Sequence, residues 1–308
     1  MKLPAPGATV TSPGTPRIIC YHQTHYLNGK FVSILPLLTH ETGVTHVIVA
    51  AIHINEPPGN ITLNDLPYSS PSNEPLWLEV FKLQKANVKV LGMLGGAALG
   101  SFTRLDGDTE SFKKYYEPLR EMIVWTGLQG LDLDVEEEMS LSGIIRLITR
   151  LKSDFGTDFL LTLAPVATAL QNGKHLSGFD YEDLEAAVGH HIAWYNTQFY
   201  CGWGTLESPA DYETIVERGW PPEKVVAGLV TNPANCRGWV ADGVLRETLE
   251  ALVRRFPRFG GVMGWEYFNS MTEGEGEGRP WVWAAFMNKI LRDAGASEKV
   301  VESSTSDG

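Results

Sequence analysis

The chain has 308 residues, of which 43% are hydrophobic and 20% charged, so it can bury a sizeable core. Its net charge of -12 argues against two classes of partner. Nucleic acid is bound by basic surfaces that release counterions from phosphates, and anionic membrane surfaces attract polybasic segments. Nucleic-acid and membrane partners are therefore not expected, whereas uncharged sugars are indifferent to this charge.

Both ends of the chain lack a periodic pattern. Residues 1–16 are rich in Pro, Ser and Thr, which predicts a flexible leader, and they lack the apolar stretch of a secretory signal. Residues 294–308 are predicted to form a disordered tail, which leaves residues 17–293 as one folded unit. As written, the chain is expected to be cytoplasmic, or secreted if the first Met was added to a mature protein.

Eight short apolar runs recur along residues 17–293. Each has about the length of a strand and is rich in Val, Ile and Leu. They are nearly continuous rather than alternating, as in parallel strands that are buried on both faces. The runs are Arg17–Tyr21, His46–Ile54, Val88–Leu94, Gly130–Val135, Phe159–Pro165, Ile192–Tyr200, Lys224–Leu229 and Gly260–Trp265.

The segments between the runs are long enough for crossover helices. Ser140–Phe155 carries an apolar stripe at helical spacing and is followed by Gly156, and Val244–Phe256 is similarly amphipathic. Strands that alternate with helices in this way predict a single-domain α/β protein with the (β/α)8 TIM barrel fold. An open, doubly wound sheet is the alternative, but no glycine-rich phosphate-binding fingerprint follows the first run.

Cysteine and histidine give no sign of a metal site, and no cofactor is expected. The three cysteines match no zinc spacing, and Cys20 lies in an apolar run, where we expect it to be buried. A bridge between Cys201 and Cys236 is possible but cannot be deduced. The adjacent pair His190-His191 precedes the sixth run, at the end of the barrel opposite the chemistry.

The fourth run concentrates acidic residues inside an apolar strand. Because side chains alternate along a strand, Asp132, Asp134 and Glu136 share one face, and in a barrel that face points into the lumen. Three neighbouring carboxylates cannot all be ionised there, so at least one should hold a proton near neutral pH. Glu136 is the outermost and is placed to give that proton to a substrate, as a general acid does. The alternative is an exposed strand whose polar face meets water.

The two acids that follow, Glu137 and Glu138, are expected to lie in a solvated loop and are assigned no role.

Gly130-Leu-Asp-Leu-Asp-Val-Glu136 resembles the catalytic signature of glycoside hydrolase family 18, the family of chitinases and endo-β-N-acetylglucosaminidases. The resemblance extends from Arg17 to about Leu291, and several further strand motifs occur in the family's order. They are Leu91–Gly96, Leu161–Pro165, Asn196–Tyr200 and Gly260–Trp265. One position departs from the signature, since Gln129 stands where the family has its first Asp.

The resemblance implies a retaining, substrate-assisted mechanism. Glu136 would protonate the glycosidic oxygen while the acetamido carbonyl of the bound sugar attacks its own anomeric carbon. Asp134 would orient the acetamido group, and Asp132 would share a proton with it. Tyr200 would hydrogen-bond the acetamido carbonyl, and Trp265 would form the floor under the sugar.

Tyr21, Asn196 and Gln198 are further candidates for substrate binding in the lumen, where packing in the barrel is an equally good interpretation.

Within family 18 the chain resembles the fungal endo-β-N-acetylglucosaminidases, through Asp132–Glu136 with Met139-Ser140, Leu161–Val166, Trp194–Tyr200 and Gly260–Asn269. The resemblance implies action on the Asn-linked glycans of glycoproteins, of high-mannose type. A monomer is expected, although the sequence carries no signal of oligomeric state. Two alternatives remain open. One is a chitinase of the same family, and the other is a barrel that lost activity and became a glycan-binding lectin. Such lectins typically lack the last acid of the signature, which is present here as Glu136.

Overall fold

Eight parallel strands close into a barrel in the computed structural model of the protein, which describes residues 16–274 and 278–305. The strands are β1 (Arg17–His22), β2 (His46–Asn55), β3 (Lys89–Gly95), β4 (Gly130–Asp134), β5 (Leu160–Leu163), β6 (Trp194–Gln198), β7 (Val225–Val230) and β8 (Gly261–Trp265). β1 pairs in parallel with both β2 and β8, which closes the ring. The predicted (β/α)8 fold is confirmed, and the open-sheet alternative is wrong because a closed ring has no edge strand.

Helices connect the strands and surround the barrel. They are α1 (Pro36–Thr39), α2 (Glu74–Lys85), α3 (Ser101–Leu105), α4 (Thr109–Thr126), α5 (Leu141–Phe155), α6 (Ala167–Leu170), α7 (Tyr181–Val188), α8 (Ala210–Glu217), α9 (Asp242–Arg255) and α10 (Trp281–Thr305). The predicted helix after β4 is confirmed as α5. It begins where the Ser140 side chain accepts a hydrogen bond from the Gly143 N–H, and it ends at Gly156, whose φ is 81°.

Alternation along each strand separates two apolar layers. Leu131 and Leu133 of β4 face outward and pack with the helices, whereas the acids between them face the lumen. At the amino-terminal end of the lumen, the guanidinium carbon of Arg17 lies 4.4 Å from the centre of the Trp194 ring. The ring of His46 packs against the same Trp194 at 4.8 Å. Because these side chains fill that end, the acids are reached from the carboxyl ends of the strands.

The predicted ends of the chain differ from the structure or lie beyond it. The predicted leader falls outside the described residues except for Pro16. The predicted tail overlaps α10, which continues to Thr305, while residues 306–308 lie outside the described part. Residues 294–302 contain Ala, Glu and Lys without Pro, and such residues allow a helix to continue. Within residues 16–274 and 278–305, no helix is long and apolar enough to cross a membrane.

Candidate active site

A cavity of about 420 Å³ opens at the carboxyl ends of the strands. It is lined by five of the residues that the sequence predicted for the site, namely Asp134, Glu136, Gln198, Tyr200 and Trp265. The other three, which are listed next, lie deeper in the lumen and are fully or almost fully buried. They are Tyr21, Asp132 and Asn196.

Asp132 is the centre of the deeper layer and accepts three hydrogen bonds. The Tyr21 hydroxyl donates to Oδ2 at 2.7 Å, while the Thr162 hydroxyl and Asn196 Nδ2 donate to Oδ1 at 2.6 and 2.9 Å. Burial raises the pKa of Asp132, and the three donors act against that rise because they bind the carboxylate form. The donors come from three other strands and contact both oxygens of Asp132, and the expected proton sharing with Asp134 stays a prediction.

Asp134 lies above Asp132, and of the three acids in the signature it has the most strongly shifted pKa. Burial, together with the charges of Glu136 and Asp132, raises the pKa of Asp134 well above its ordinary value. Gln198 Nε2 donates to Asp134 Oδ1 at 3.3 Å and to the Ala164 carbonyl at 2.8 Å, which fixes the amide of this β6 residue against β4 and the end of β5. Asp134 therefore favours the protonated form in the free site.

Glu136 stands just beyond the end of β4 and is half-buried. Burial raises the pKa of Glu136, and the Gln198 amide opposes part of that rise. A carboxyl that keeps its proton to higher pH than usual and faces a cavity has the property that a general acid needs. The arrangement can thus protonate a leaving-group oxygen from above the two deeper acids.

Two aromatic residues shape the cavity around these acids. Burial and the nearby acids raise the pKa of Tyr200 well above its ordinary value, so its hydroxyl remains a neutral donor. Trp265 ends β8, with its ring 5.6 Å from that of Tyr21 in an edge-on arrangement. Its carbonyl accepts hydrogen bonds from Asn235 Nδ2 at 3.0 Å and from the Thr231 N–H at 2.9 Å.

A disulfide bond forms part of the cavity wall. Cys201, which follows β6, is bridged to Cys236, which follows β7, and both line the cavity beside Tyr200. The sequence had left this pairing open. Cys20 is free and buried, as predicted, and burial raises its pKa to about 12.

Glu137 corrects the expectation of a solvated loop after the signature. It is buried, and its carboxylate accepts hydrogen bonds from the Gly100 and Phe102 N–H groups at 2.8 Å and from the Thr103 hydroxyl at 2.5 Å. These groups belong to the start of α3, where backbone N–H groups have no partner within the helix. Glu137 thus anchors the loop after β3 beside Glu136. Glu138 is exposed, as expected.

Several other residues of the site were not identified from the sequence. Thr162 could have been identified, because it lies between Leu161 and Leu163 on β5 and its side chain therefore points to the opposite face, into the lumen. Gln23 and Asn235 lie in loops, where no periodicity reports direction. Gln129, the departure from the signature, accepts a hydrogen bond from the Val90 N–H at 3.1 Å, near the start of β4.

A groove of about 900 Å³ adjoins the cavity and shares Gln23, His53 and Ala98 with it. One wall comes from the outer half of β2, which extends beyond the barrel and pairs antiparallel with residues 60–63. Most of the groove is lined by side chains with hydroxyl, amide, imidazole or carboxylate groups. They are Gln23, Thr24, His25, His53, Asn55, Thr62, Asn64, Asp65 and Asn73. Among the described residues that line it, Tyr26 is the single Tyr, Phe or Trp.

Two solved structures resemble the chain over almost its whole length. A chitinase, ChiC, from Aspergillus fumigatus is 56% identical, with a TM-score of 0.83 over 90% of this chain and 99% of that one. A fungal endo-β-N-acetylglucosaminidase of glycosyl hydrolase family 18 is 47% identical, with a TM-score of 0.87 over 91% of this chain and 99% of that one.

A curated relative, Chitinase D from Niallia circulans, is 32% identical over 132 residues, which span 38% of this chain and 25% of that relative. Residues 17–278 match the sequence model of the glycosyl hydrolases of family 18. That match includes all eight barrel strands and the acids of β4. The chain therefore belongs to glycosyl hydrolase family 18.

Proposed function

We propose that the protein is an endo-β-N-acetylglucosaminidase, which hydrolyses the GlcNAc-β1,4-GlcNAc core bond of Asn-linked glycans of high-mannose type. The observation that carries the proposal is the polar groove beside the small cavity that holds the acids. Mannose arms present hydroxyls in many directions, and hydroxyls that leave water need hydrogen-bond partners. Chitin is linear, and its flat sugar faces are suited to rows of aromatic rings, whereas Tyr26 alone among the described lining residues is a Tyr, Phe or Trp.

In the proposed reaction, Glu136 donates its proton to the glycosidic oxygen, and the bond from the anomeric carbon to that oxygen breaks. The acetamido carbonyl oxygen of the bound sugar forms the new bond to the anomeric carbon and gives an oxazolinium ion. Water then attacks the same carbon, the bond from that carbon to the acetamido oxygen breaks, and Glu136, now ionised, accepts a proton from the attacking water. Two inversions at one carbon give overall retention, and Glu136 returns to its protonated form.

The other residues of the site stabilise this intermediate. Asp134 accepts a hydrogen bond from the acetamido N–H, and the Asp132 carboxylate lies below the oxazolinium cation in the buried lumen, where charges interact strongly. Tyr200, as a neutral donor, hydrogen-bonds the acetamido oxygen until that oxygen attacks. Trp265 supports the sugar ring from beneath.

Digestion of ribonuclease B tests the proposed substrate. Treatment should release the oligomannose with one GlcNAc and leave one GlcNAc on the protein, which intact-mass spectrometry resolves. A glycoside that carries a hydroxyl instead of the acetamido group at the cleaved sugar should resist hydrolysis, because it has no internal nucleophile. Ribonuclease B that keeps its full mass while chitin oligosaccharides are cut would refute the proposed substrate.

Chitin hydrolysis is the second candidate, favoured by the 56% identity with the chitinase of Aspergillus fumigatus. The same acids would act on chitin without change, since chitin also carries an acetamido group at each cleaved sugar. The groove, rather than the reaction centre, therefore decides between the two substrates. Release of chitobiose from chitohexaose at a rate comparable with the ribonuclease B reaction would support this second candidate.

A further inference from the structure

Glu266 follows the floor residue Trp265 directly, and its carboxylate turns toward the loop after β1. Oε2 accepts hydrogen bonds from the backbone N–H groups of Gln23 at 3.0 Å and Thr24 at 2.8 Å. Oε1 accepts one from the Thr24 hydroxyl at 2.9 Å. Glu266 is 7% exposed, so these donors replace most of its hydration.

The loop that Glu266 holds is the common wall of the two recesses. Gln23 lines both the reaction cavity and the groove, and Thr24 lines the groove. On its other side, the Gln23 carbonyl accepts a hydrogen bond from Asn64 Nδ2 at 2.8 Å. The loop is thus fixed between β8 and the hairpin that follows β2, and its position sets the shape of the passage from cavity to groove.

Trp265 does not depend on the Glu266 side chain for its own position. Its carbonyl is held by Asn235 and by the Thr231 N–H, and the Glu266 carbonyl accepts hydrogen bonds from the Thr231 hydroxyl at 2.7 Å and the Ser270 hydroxyl at 2.8 Å. Removal of the Glu266 carboxylate should therefore release the loop after β1 and leave the sugar floor in place.

A buried carboxylate at this point lowers the stability of the fold. Among the ion pairs of the described residues, none includes Glu266. Its carboxylate is therefore stabilised only by hydrogen bonds from neutral groups. A buried charge without a cation is usually less stable than a neutral residue of the same size. The carboxylate fixes the position of the loop instead, because its two oxygens accept hydrogen bonds from two successive loop residues.

We propose that Glu266 is a positioning residue, which holds Gln23 and Thr24 so that a substrate can extend from the reaction cavity into the groove. The inference rests on the proposed function in one respect, namely that the groove receives the part of the substrate beyond the cleaved sugar. It assigns Glu266 no contact with the reacting atoms.

The test compares Glu266→Ala and Glu266→Gln with the wild-type enzyme on two glycopeptides that share the same GlcNAc2-Asn core. One carries a single mannose and the other carries the full branched mannose arms. We expect Glu266→Ala to raise KM about ten-fold for the branched glycan and less than three-fold for the short one, with kcat nearly unchanged, because a disordered wall must be ordered on binding. Glu266→Gln keeps one acceptor oxygen and should recover part of the loss.

Glu79→Ala is the matched control. Glu79 is also buried, and its carboxylate also holds a loop, accepting hydrogen bonds from the Ser33 hydroxyl at 2.7 Å and the Ile34 N–H at 2.8 Å, but it lines neither recess. It should lower the melting temperature and leave the ratio of the two KM values as in the wild type. Equal changes in KM for both glycans in Glu266→Ala, or the same change of ratio in Glu79→Ala, would overturn the proposal.

Failure of the proposed function is recognised separately, because the wild-type enzyme would then cleave neither glycopeptide. In that case the same variants are compared on chitobiose- and chitohexaose-based chromogenic substrates, which also differ only in length. Loss of the preference for the longer chain in Glu266→Ala again supports the positioning role, and an unchanged preference contradicts it.

Discussion

Tyr21 of β1 donates a 2.7 Å hydrogen bond to Oδ2 of Asp132 on β4, inside the lumen of the barrel. This contact, with those from Thr162 and Asn196, stabilises the charged form of Asp132 and so opposes the rise in its pKa that burial causes. The charge of Asp132 in turn contributes to the raised pKa of Asp134. Of these two acids on β4, Asp134 therefore keeps its proton to the higher pH, because its pKa is raised well above the ordinary value while the donors oppose the rise at Asp132.

Tyr21→Phe should lower kcat/KM by one to two orders of magnitude, because a hydrogen bond to a charged group contributes about 1.5–3 kcal/mol. Steady-state kinetics on a glycopeptide measures the loss. Tyr195→Phe is the matched control, since the Tyr195 hydroxyl also donates to a carboxylate, Glu185, at 2.7 Å, but outside the barrel. Comparable losses in the two variants would show that the effect is one of folding.

Glu136→Gln should lower kcat by about 10²–10⁴-fold, the usual contribution of a general acid. Glutamine keeps the size of the side chain, so the dissociation constant for an oligosaccharide, measured by calorimetry, should stay within about three-fold of the wild-type value. Wild-type protein that binds glycan with the same affinity but shows no turnover would favour the lectin alternative.

Gln198→Leu should move the basic limb of the pH profile of kcat/KM to higher pH. The Gln198 amide lowers the pKa of Glu136 by stabilising its ionised form, so its removal raises that pKa. A general acid is active while protonated, and activity is lost as the pH rises through its pKa. The limb should therefore shift upward even though the maximal rate falls. A limb that stays in place, or moves to lower pH, contradicts this role for Gln198.

Periodic patterns accounted for much of the site, and residues outside those patterns were missed. The parity of β4 predicted that Asp132 and Asp134 face the lumen, because alternation is a local property of the strand. The contacts of Glu137 and Glu266 join positions 34 to 243 residues apart, and both acids lie beyond the end of a strand, outside its periodic pattern. Such contacts depend on how the loops are placed after the barrel closes, and no local pattern carries that information.

The family signature did not predict the environment of Glu137 either. Two adjacent acids after a strand look solvated when judged by composition alone. In the structure one of them supplies acceptors for the unpaired N–H groups of α3, while the other stays exposed. The two residues are indistinguishable in sequence and differ only in what the loop after β3 brings beside them.

Asp134→Asn should stabilise the fold at pH 8 and have little effect at pH 4, while activity is lost. A carboxyl whose pKa is raised on folding contributes stability that is present below its unfolded pKa and is lost as the pH rises through the folded pKa. Asparagine resembles the protonated form and does not titrate. The advantage should amount to about 1.4 kcal/mol for each unit of pKa shift that it removes, measured by guanidinium unfolding at both pH values.

Asp154→Asn serves as a control, because its change in stability at pH 8 should have the opposite sign. Burial opposes the shift, but hydrogen bonds from Tyr116 and Arg150 lower the pKa of Asp154. Its contribution to stability is therefore present above the unfolded pKa and is lost as the pH falls. The variant should be less stable than the wild type at pH 8, with the difference shrinking toward acid pH. The same sign of change in both variants would contradict the assignment of protons to Asp134.

Opening the disulfide between Cys201 and Cys236 should weaken both the fold and the cavity wall. The bridge spans 35 positions of sequence, and closure of a loop of that length stabilises a fold by about 3–4 kcal/mol in the chain-entropy account. The double variant Cys201→Ser/Cys236→Ser should lose about that much in guanidinium unfolding. Activity should fall as well, because both residues line the cavity beside Tyr200.

Dithiothreitol should reproduce this loss in the wild type and have no effect on the double variant. The third cysteine, Cys20, is free, so the chain has no second bridge that the reductant could open. If reduction lowers the stability but leaves kcat and KM unchanged, the bridge contributes to the fold alone, and the wall beside Tyr200 keeps its shape without it.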